Sequence, residues 1–232
     1  MMAAALNGPR IEAKSRQARQ LVVFLHGYGA DGNDLIELGQ QWRSLLPDAT
    51  FISPHAPERC AASPMGRQWF GLSAAPPDDP RGAADRWRGV QTARPGLDAF
   101  LDDELQRLGL DDSRLALVGF SQGAMMAMHV GLRRRRAPAA IVGFSGMLIG
   151  GEHLGEATAR NERGEPPPIL LTHGDQDNVL PLEAMFIAAN ELAAADIPAQ
   201  WHLSFGIGHG IDAGALRHAG LFLAKQFGVR MK

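Results

Sequence analysis

The pentapeptide Gly119-Phe120-Ser121-Gln122-Gly123 sets one serine between two glycines, where the apolar run "LALVGF" gives way to "AMMAMHV". A serine hydroxyl is a weak nucleophile at neutral pH. It attacks a carbonyl carbon when an imidazole takes its proton and a carboxylate orients that imidazole. Glycine at 119 and 123 removes side chains that would collide with backbone in a tight strand-to-helix turn, which leaves the Ser121 hydroxyl facing outward. The chemistry this pattern points to is acyl transfer.

A base and an orienting acid must then lie on other loops at the same sheet edge. Of eight histidines, His209 has the suitable setting, on the glycine-rich "FGIGHGID" between a strand-like segment and the last helix. His129 lies two turns beyond Ser121 and faces away, His218 is on the last helix, His202 is within a strand, and His153 is in a Gly-rich segment; these read as packing or surface. His26 and His173 end strands, but each precedes a glycine turn with another use. For the acid, "HGDQDNVLP" offers Asp175 and Asp177, and spacing leaves them nearly tied. Asp175 after Gly174 suits a turn, whereas the apolar residues and Pro181 beyond Asp177 would anchor its loop. Donors for an oxyanion are expected from the backbone N–H of Gln122, at the start of the nucleophile helix, and of Tyr28, in the glycine loop "HGYGADGND". That loop lacks the Gly-Lys ending of a phosphate-binding loop.

These side chains need a scaffold, and the chain supplies strands alternating with helices. "QLVVFLHG", "TFISPHAP", "LALVGF", "AAIVGFSG" and "PILLTHG" are apolar without alternation, as in strands covered on both faces. Helical spacing follows in "DLIELGQQWRSLL", in two stretches divided at Pro95 and Gly96, from Pro181 to Ala195, and from Ile211 to Phe227; "AQWHLSF" is a further strand. The fold class is α/β: a mostly parallel central sheet with helices on both faces. Residues 58–81 read as a long loop and residues 147–167 as a surface insertion, too short for a separate cap domain. One domain is expected over residues 1–232, with residues 1–19 peripheral or partly flexible.

At 232 residues and 45% hydrophobic content, the chain can bury a substantial core. Its net charge of −2 gives no field that would draw it to nucleic acid. "RRRR" at 133–136 reads as a solvated end of the nucleophile helix that compensates its dipole. The single cysteine, Cys60, suits a reducing compartment, and neither an export signal nor a membrane-spanning run is visible, so the expected location is the cytoplasm.

Four motifs in order, "LHGYGADGNDL", "GFSQGAMMA", "HGDQDNVLP" and "GHGI", resemble the phospholipase/carboxylesterase family of α/β hydrolases, which includes acyl-protein thioesterases. The likeness runs from about Leu21 to Phe227, and the order Ser, Asp, His agrees with the α/β-hydrolase arrangement. It implies Ser121 as nucleophile, Asp177 as orienting acid, His209 as general base, and the amides of Tyr28 and Gln122 as the oxyanion hole. The family's Trp-Phe pair is matched by Trp69 and Phe70, which with Leu72 and Leu180 are expected to contact the acyl chain. Gly71 stands where the eukaryotic thioesterase branch has Asp, and "GFSQGA" replaces its "GFSQGG", so the chain is more similar to bacterial carboxylesterases. The resemblance implies hydrolysis of short to medium acyl esters, with thioesters as the alternative, no cofactor or metal, no integral membrane association, and a family in which homodimers are common. A non-catalytic binding protein on the same scaffold is the reading from another class.

Overall fold

The structure is a computed structural model, and it describes residues 6–72, 79–158 and 165–229. Among the described residues, one sheet of seven strands carries the molecule: β1 (Arg10–Ile11), β2 (Gln20–Leu25), β3 (Ala49–Ile52), β6 (Leu115–Phe120), β7 (Ala140–Phe144), β8 (Ile169–Gly174) and β9 (Ala199–Ser204). Their spatial order is β1-β3-β2-β6-β7-β8-β9; β1 is antiparallel to β3 and every other pairing is parallel. A two-residue hairpin, β4 (Glu58–Arg59) with β5 (Arg67–Gln68), lies within the segment read as a loop. Strands of two residues show no periodicity, which is why β1, β4 and β5 escape a sequence reading.

Alternate residues of each parallel strand feed two cores. Leu21, Val23 and Leu25 of β2 join Leu115 and Leu117 of β6 on one face, covered by α2 (Pro80–Leu108), α3 (Gln122–Gly131) and α5 (Glu183–Ala194). Val22, Phe24, Ala116 and Val118 face the opposite side, under α1 (Gly32–Trp42) and α6 (Ala213–Gln226). Burial on both faces explains why these strands do not alternate in hydropathy. Every residue of α3 is buried, consistent with its apolar sequence all round.

Three expectations need correction. The helix does not divide at Pro95: α2 is continuous through it. A proline inside a helix costs about 3 kcal/mol. Here Val90 before it and Leu97, Phe100 and Leu101 after it enter one core, and the Arg94–Asp98 pair at 2.9 Å spans the site. The basic run is not solvated throughout. Arg133 and Arg134 are buried; Arg134 pairs with Asp98, Asp102 and Asp112, so the end of α3 is tied to α2 and to the turn before β6. Within the 147–167 segment, Leu148, Ile149, Leu154 and Ala157 belong to the core, the last two on α4 (Leu154–Thr158), so this part packs rather than loops outward; residues 159–164 of it lie outside the described residues.

His129 occupies the core side of α3 with its ring edge-on to Trp87, which His153 stacks at 4.2 Å. Burial, with Arg133 and Arg94 nearby, lowers its pKa from 6.5 to about 3. The unfolded chain therefore takes up this proton first as pH falls. The contribution is fully present above about pH 6.5 and is lost progressively toward pH 3, in total a few kcal/mol. His129→Leu is expected to flatten the acid side of a urea-denaturation stability profile between pH 6.5 and 4. An unchanged slope would contradict this.

Candidate active site

Ser121 sits between β6 and α3 with φ 53° and ψ −116°, a backbone conformation that costs a non-glycine residue about 1–3 kcal/mol. The turn is held by Ser121 N–H donating to the Phe144 carbonyl at 2.9 Å, and by the Ala124 and Met125 amides donating to the Ser121 carbonyl. A Cβ at Gly123 would come 1.8 Å from the Leu25 carbonyl oxygen, and one at Gly119 would come 2.2 Å from that of Gly123. Both glycines are thus required by the approach of α3 to β2 and by the turn itself.

The loop after β8 carries both candidate carboxylates, and the structure brings Asp177, not Asp175, to His209. Asp177 Oδ1 accepts the amides of Val179 and Leu180 at 2.9 Å each, and its Oδ2 accepts from His209 Nδ1 at 2.7 Å. The Asp177 side chain is fully buried. Burial alone would raise its pKa, but the His209 hydrogen bond and the two amides outweigh it and hold the carboxyl below the usual range. Asp175 instead receives the Gly206 amide at 2.6 Å, which braces the His209 loop. That loop lies directly against the end of β8, since a Cβ at Gly174 would meet the Ile207 carbonyl oxygen at 2.2 Å. The His209 ring is 4.9 Å from that of Phe120, the residue before Ser121, and its side chain keeps 17% exposure.

The loop after β2 also runs against the elbow. A Cβ at Gly27 would lie 3.5 Å from Ser121 Cβ, so Tyr28 follows a segment in contact with the elbow. Gly29 N–H donates to Arg67 and Arg67 N–H to Ala30, which tie the loop to β5, and Trp69 Nε1 donates to the His26 carbonyl. His26 Nε2 accepts the Ala56 amide, so its Nδ1–H donates to Gly27; burial lowers its pKa. Gln122 is the first residue of α3, where amides lack an intrahelical acceptor.

The Gln122 side chain does work that sequence reasoning missed: its Nε2 donates to the Phe70 carbonyl at 2.7 Å and its Oε1 accepts from Trp69 N–H at 2.9 Å. Elbow, hairpin and β2 loop are therefore one cross-tied frame. Trp69 and Phe70 are buried at 1% and 3% exposure, inside the domain rather than on an open wall; Leu180 is also buried, and Leu72 is exposed at 41%. His173, which sequence reasoning sets aside as a strand-end histidine before a glycine turn, has its Nε2 3.3 Å from Asp177 Oδ2. Its one sequence signal is a histidine near the end of a buried strand. Among the described residues, no group of three His, Cys, Asp or Glu could hold a metal ion, and no helix is long and apolar enough to cross a membrane.

The family model described as phospholipase/carboxylesterase matches residues 6–227. The crystal structure of esterase PE8 superposes with a TM-score of 0.87 at 43% identity, covering 96% of this chain and 99% of that one. Acyl-protein thioesterase 1 of Gibberella zeae is 25% identical over 94% of this chain and 95% of its own length. Esterase YpfH of Escherichia coli K12 is 25% identical over 90% and 84%. The mostly parallel sheet with helices on both faces is the α/β-hydrolase arrangement that the four motifs resemble.

Proposed function

The chain belongs to the phospholipase/carboxylesterase family, and from that premise we propose that it is a serine carboxylesterase that cleaves short to medium acyl esters through an acyl-enzyme. The observation that carries the reading is the 2.7 Å contact between Asp177 Oδ2 and His209 Nδ1, with the His209 ring against Phe120, which precedes the serine held at φ 53° on the elbow. An ionised carboxylate can only accept, so the proton in that contact belongs to Nδ1. His209 Nε2 then carries the lone pair that a general base needs.

Ser121 Oγ attacks the ester carbonyl as its proton passes to Nε2, and Asp177 stabilises the imidazolium. The tetrahedral oxyanion is received by the amides of Gln122 and Tyr28, each such donor being worth about 3–4 kcal/mol in the transition state. The imidazolium next protonates the leaving alcohol, the acyl group remains on Ser121, and water repeats the sequence with His209 as base. Leu72 is the exposed apolar side chain beside Trp69 and Phe70 that would meet the acyl chain. A thioester presents the same carbonyl to the same groups, and the similarity to the Gibberella zeae thioesterase supports it as the second reading.

A fluorophosphonate probe is expected to label Ser121 in the folded protein. A series of p-nitrophenyl esters from acetyl to dodecanoyl, run beside matched thioesters, is expected to give the highest kcat/KM among short to medium esters. Absence of labelling would favour a non-catalytic binding protein; uniform preference for thioesters would move the assignment to thioesterase.

A further inference from the structure

Asp177 faces a second imidazole besides His209. His173, near the end of β8, is 2% exposed, and its Nε2 lies 2.9 Å from the Leu180 carbonyl oxygen and 3.3 Å from Asp177 Oδ2. Both neighbours can only accept while Asp177 is ionised, so the proton sits on Nε2. Leu180 closes a ring: its carbonyl accepts a hydrogen bond from His173 Nε2–H and its N–H donates to Asp177 Oδ1 at 2.9 Å. Around His173 stand Met128 of α3, Gly143 of β7, Gly146, and Met185 and Ala188 of α5, lining a cavity of about 10 Å³. None of these residues is charged, and Nδ1 has no hydrogen-bond partner among the described residues. An aliphatic side chain would fill this wall without burying an unsatisfied nitrogen. What histidine adds is a donor aimed at the turn that holds Asp177.

We propose that His173 is a positioning residue for the hydrolytic reaction: its Nε2–H fixes the Val179–Leu180 turn and faces Asp177 Oδ2, so that one carboxylate oxygen serves the two amides and the other serves His209. The proposal rests on the reading of Ser121, His209 and Asp177 given above. Without this donor the Leu180 carbonyl is left unpaired in the interior, the turn loosens, and the carboxylate no longer meets His209 Nδ1 squarely. The imidazolium formed during turnover then loses counter-charge. His209 itself is faced by Asp177 and by the uncharged Phe120 ring, so Asp177 is the group through which such a change would be felt.

The test is the pH dependence of kcat and kcat/KM for p-nitrophenyl butyrate in the wild type, His173→Leu and His173→Gln. His173→Leu is expected to lower kcat about 10- to 100-fold, with KM changed less than about twofold because substrate binding is untouched. The acid limb is expected to move down by about half a pH unit or more. Gln carries an N–H at similar reach and is expected to restore most of both. An unmoved acid limb in His173→Leu, or a Gln variant no better than Leu, would overturn the proposal. Should His173→Leu fail to fold, ¹⁵N-histidine NMR of the wild type decides: His173 protonated on Nε2 across the working pH range supports it, and the Nδ1–H tautomer or an imidazolium overturns it. Failure of the underlying reading is separate, since it would appear as absence of fluorophosphonate labelling at Ser121 in the wild type.

Discussion

Ser121→Ala is expected to lower kcat toward p-nitrophenyl butyrate by about 10⁵ to 10⁶ while leaving the fold intact. In the proposed mechanism the hydroxyl forms the acyl-enzyme, so its loss removes the covalent route rather than weakening it. The residual rate is expected to stay about 10³ to 10⁴ above that in water. The Gln122 and Tyr28 amides belong to the backbone and remain to receive an oxyanion. The structural cost is small for a specific reason. Ser121 makes no side-chain capping hydrogen bond to α3, and alanine keeps the same Cβ in the same φ 53° conformation. The melting temperature is therefore expected to move by no more than about 2 °C. Kinetics and thermal melting on one preparation check both halves. A loss below a hundredfold would mean that another group attacks the ester.

What could be read from the sequence was whatever depends on neighbours close along the chain. The β2, β6, β7 and β8 strands announce themselves because both faces are buried, and the elbow because one of the collisions its glycines avoid is local, Gly119 against Gly123, although Gly123 itself is required by Leu25 of the distant β2. Features decided by distant partners were not legible. Arg134 reads as a surface charge until Asp98, Asp102 and Asp112, between 22 and 36 residues away, are folded around it. Pro95 reads as a helix end because the burial that offsets its cost is tertiary. The Gln122 side chain finds partners 52 and 53 residues back, which no pattern within the motif predicts. Spacing leaves Asp175 and Asp177 nearly tied, and it is the family resemblance, not the local pattern, that implies Asp177. They are two residues apart on one loop, and only the arrival of the 206–210 segment shows that one meets Gly206 and the other His209.

That pair of carboxylates gives the second large effect. Asp177→Asn is expected to lower kcat about 10⁴-fold, the loss associated with a wrong histidine tautomer, whereas Asp175→Asn is expected to cost less than about tenfold. In Asp177→Asn the amides of Val179 and Leu180 claim the new Oδ1 as they claim the carboxylate now. The NH₂ group is then turned toward His209 Nδ1. A donor cannot accept the Nδ1 proton, so the imidazole shifts that proton to Nε2, the nitrogen that must be free to deprotonate Ser121. The ring stays close to its place and the chemistry stops. Asn at 175 can keep its carbonyl oxygen toward the Gly206 amide, so the loop brace survives and the tautomer is untouched. The ratio between the two variants is thus the informative quantity. If both lose activity equally, the carboxylates act on loop geometry alone and Asp177 does not set the proton on His209.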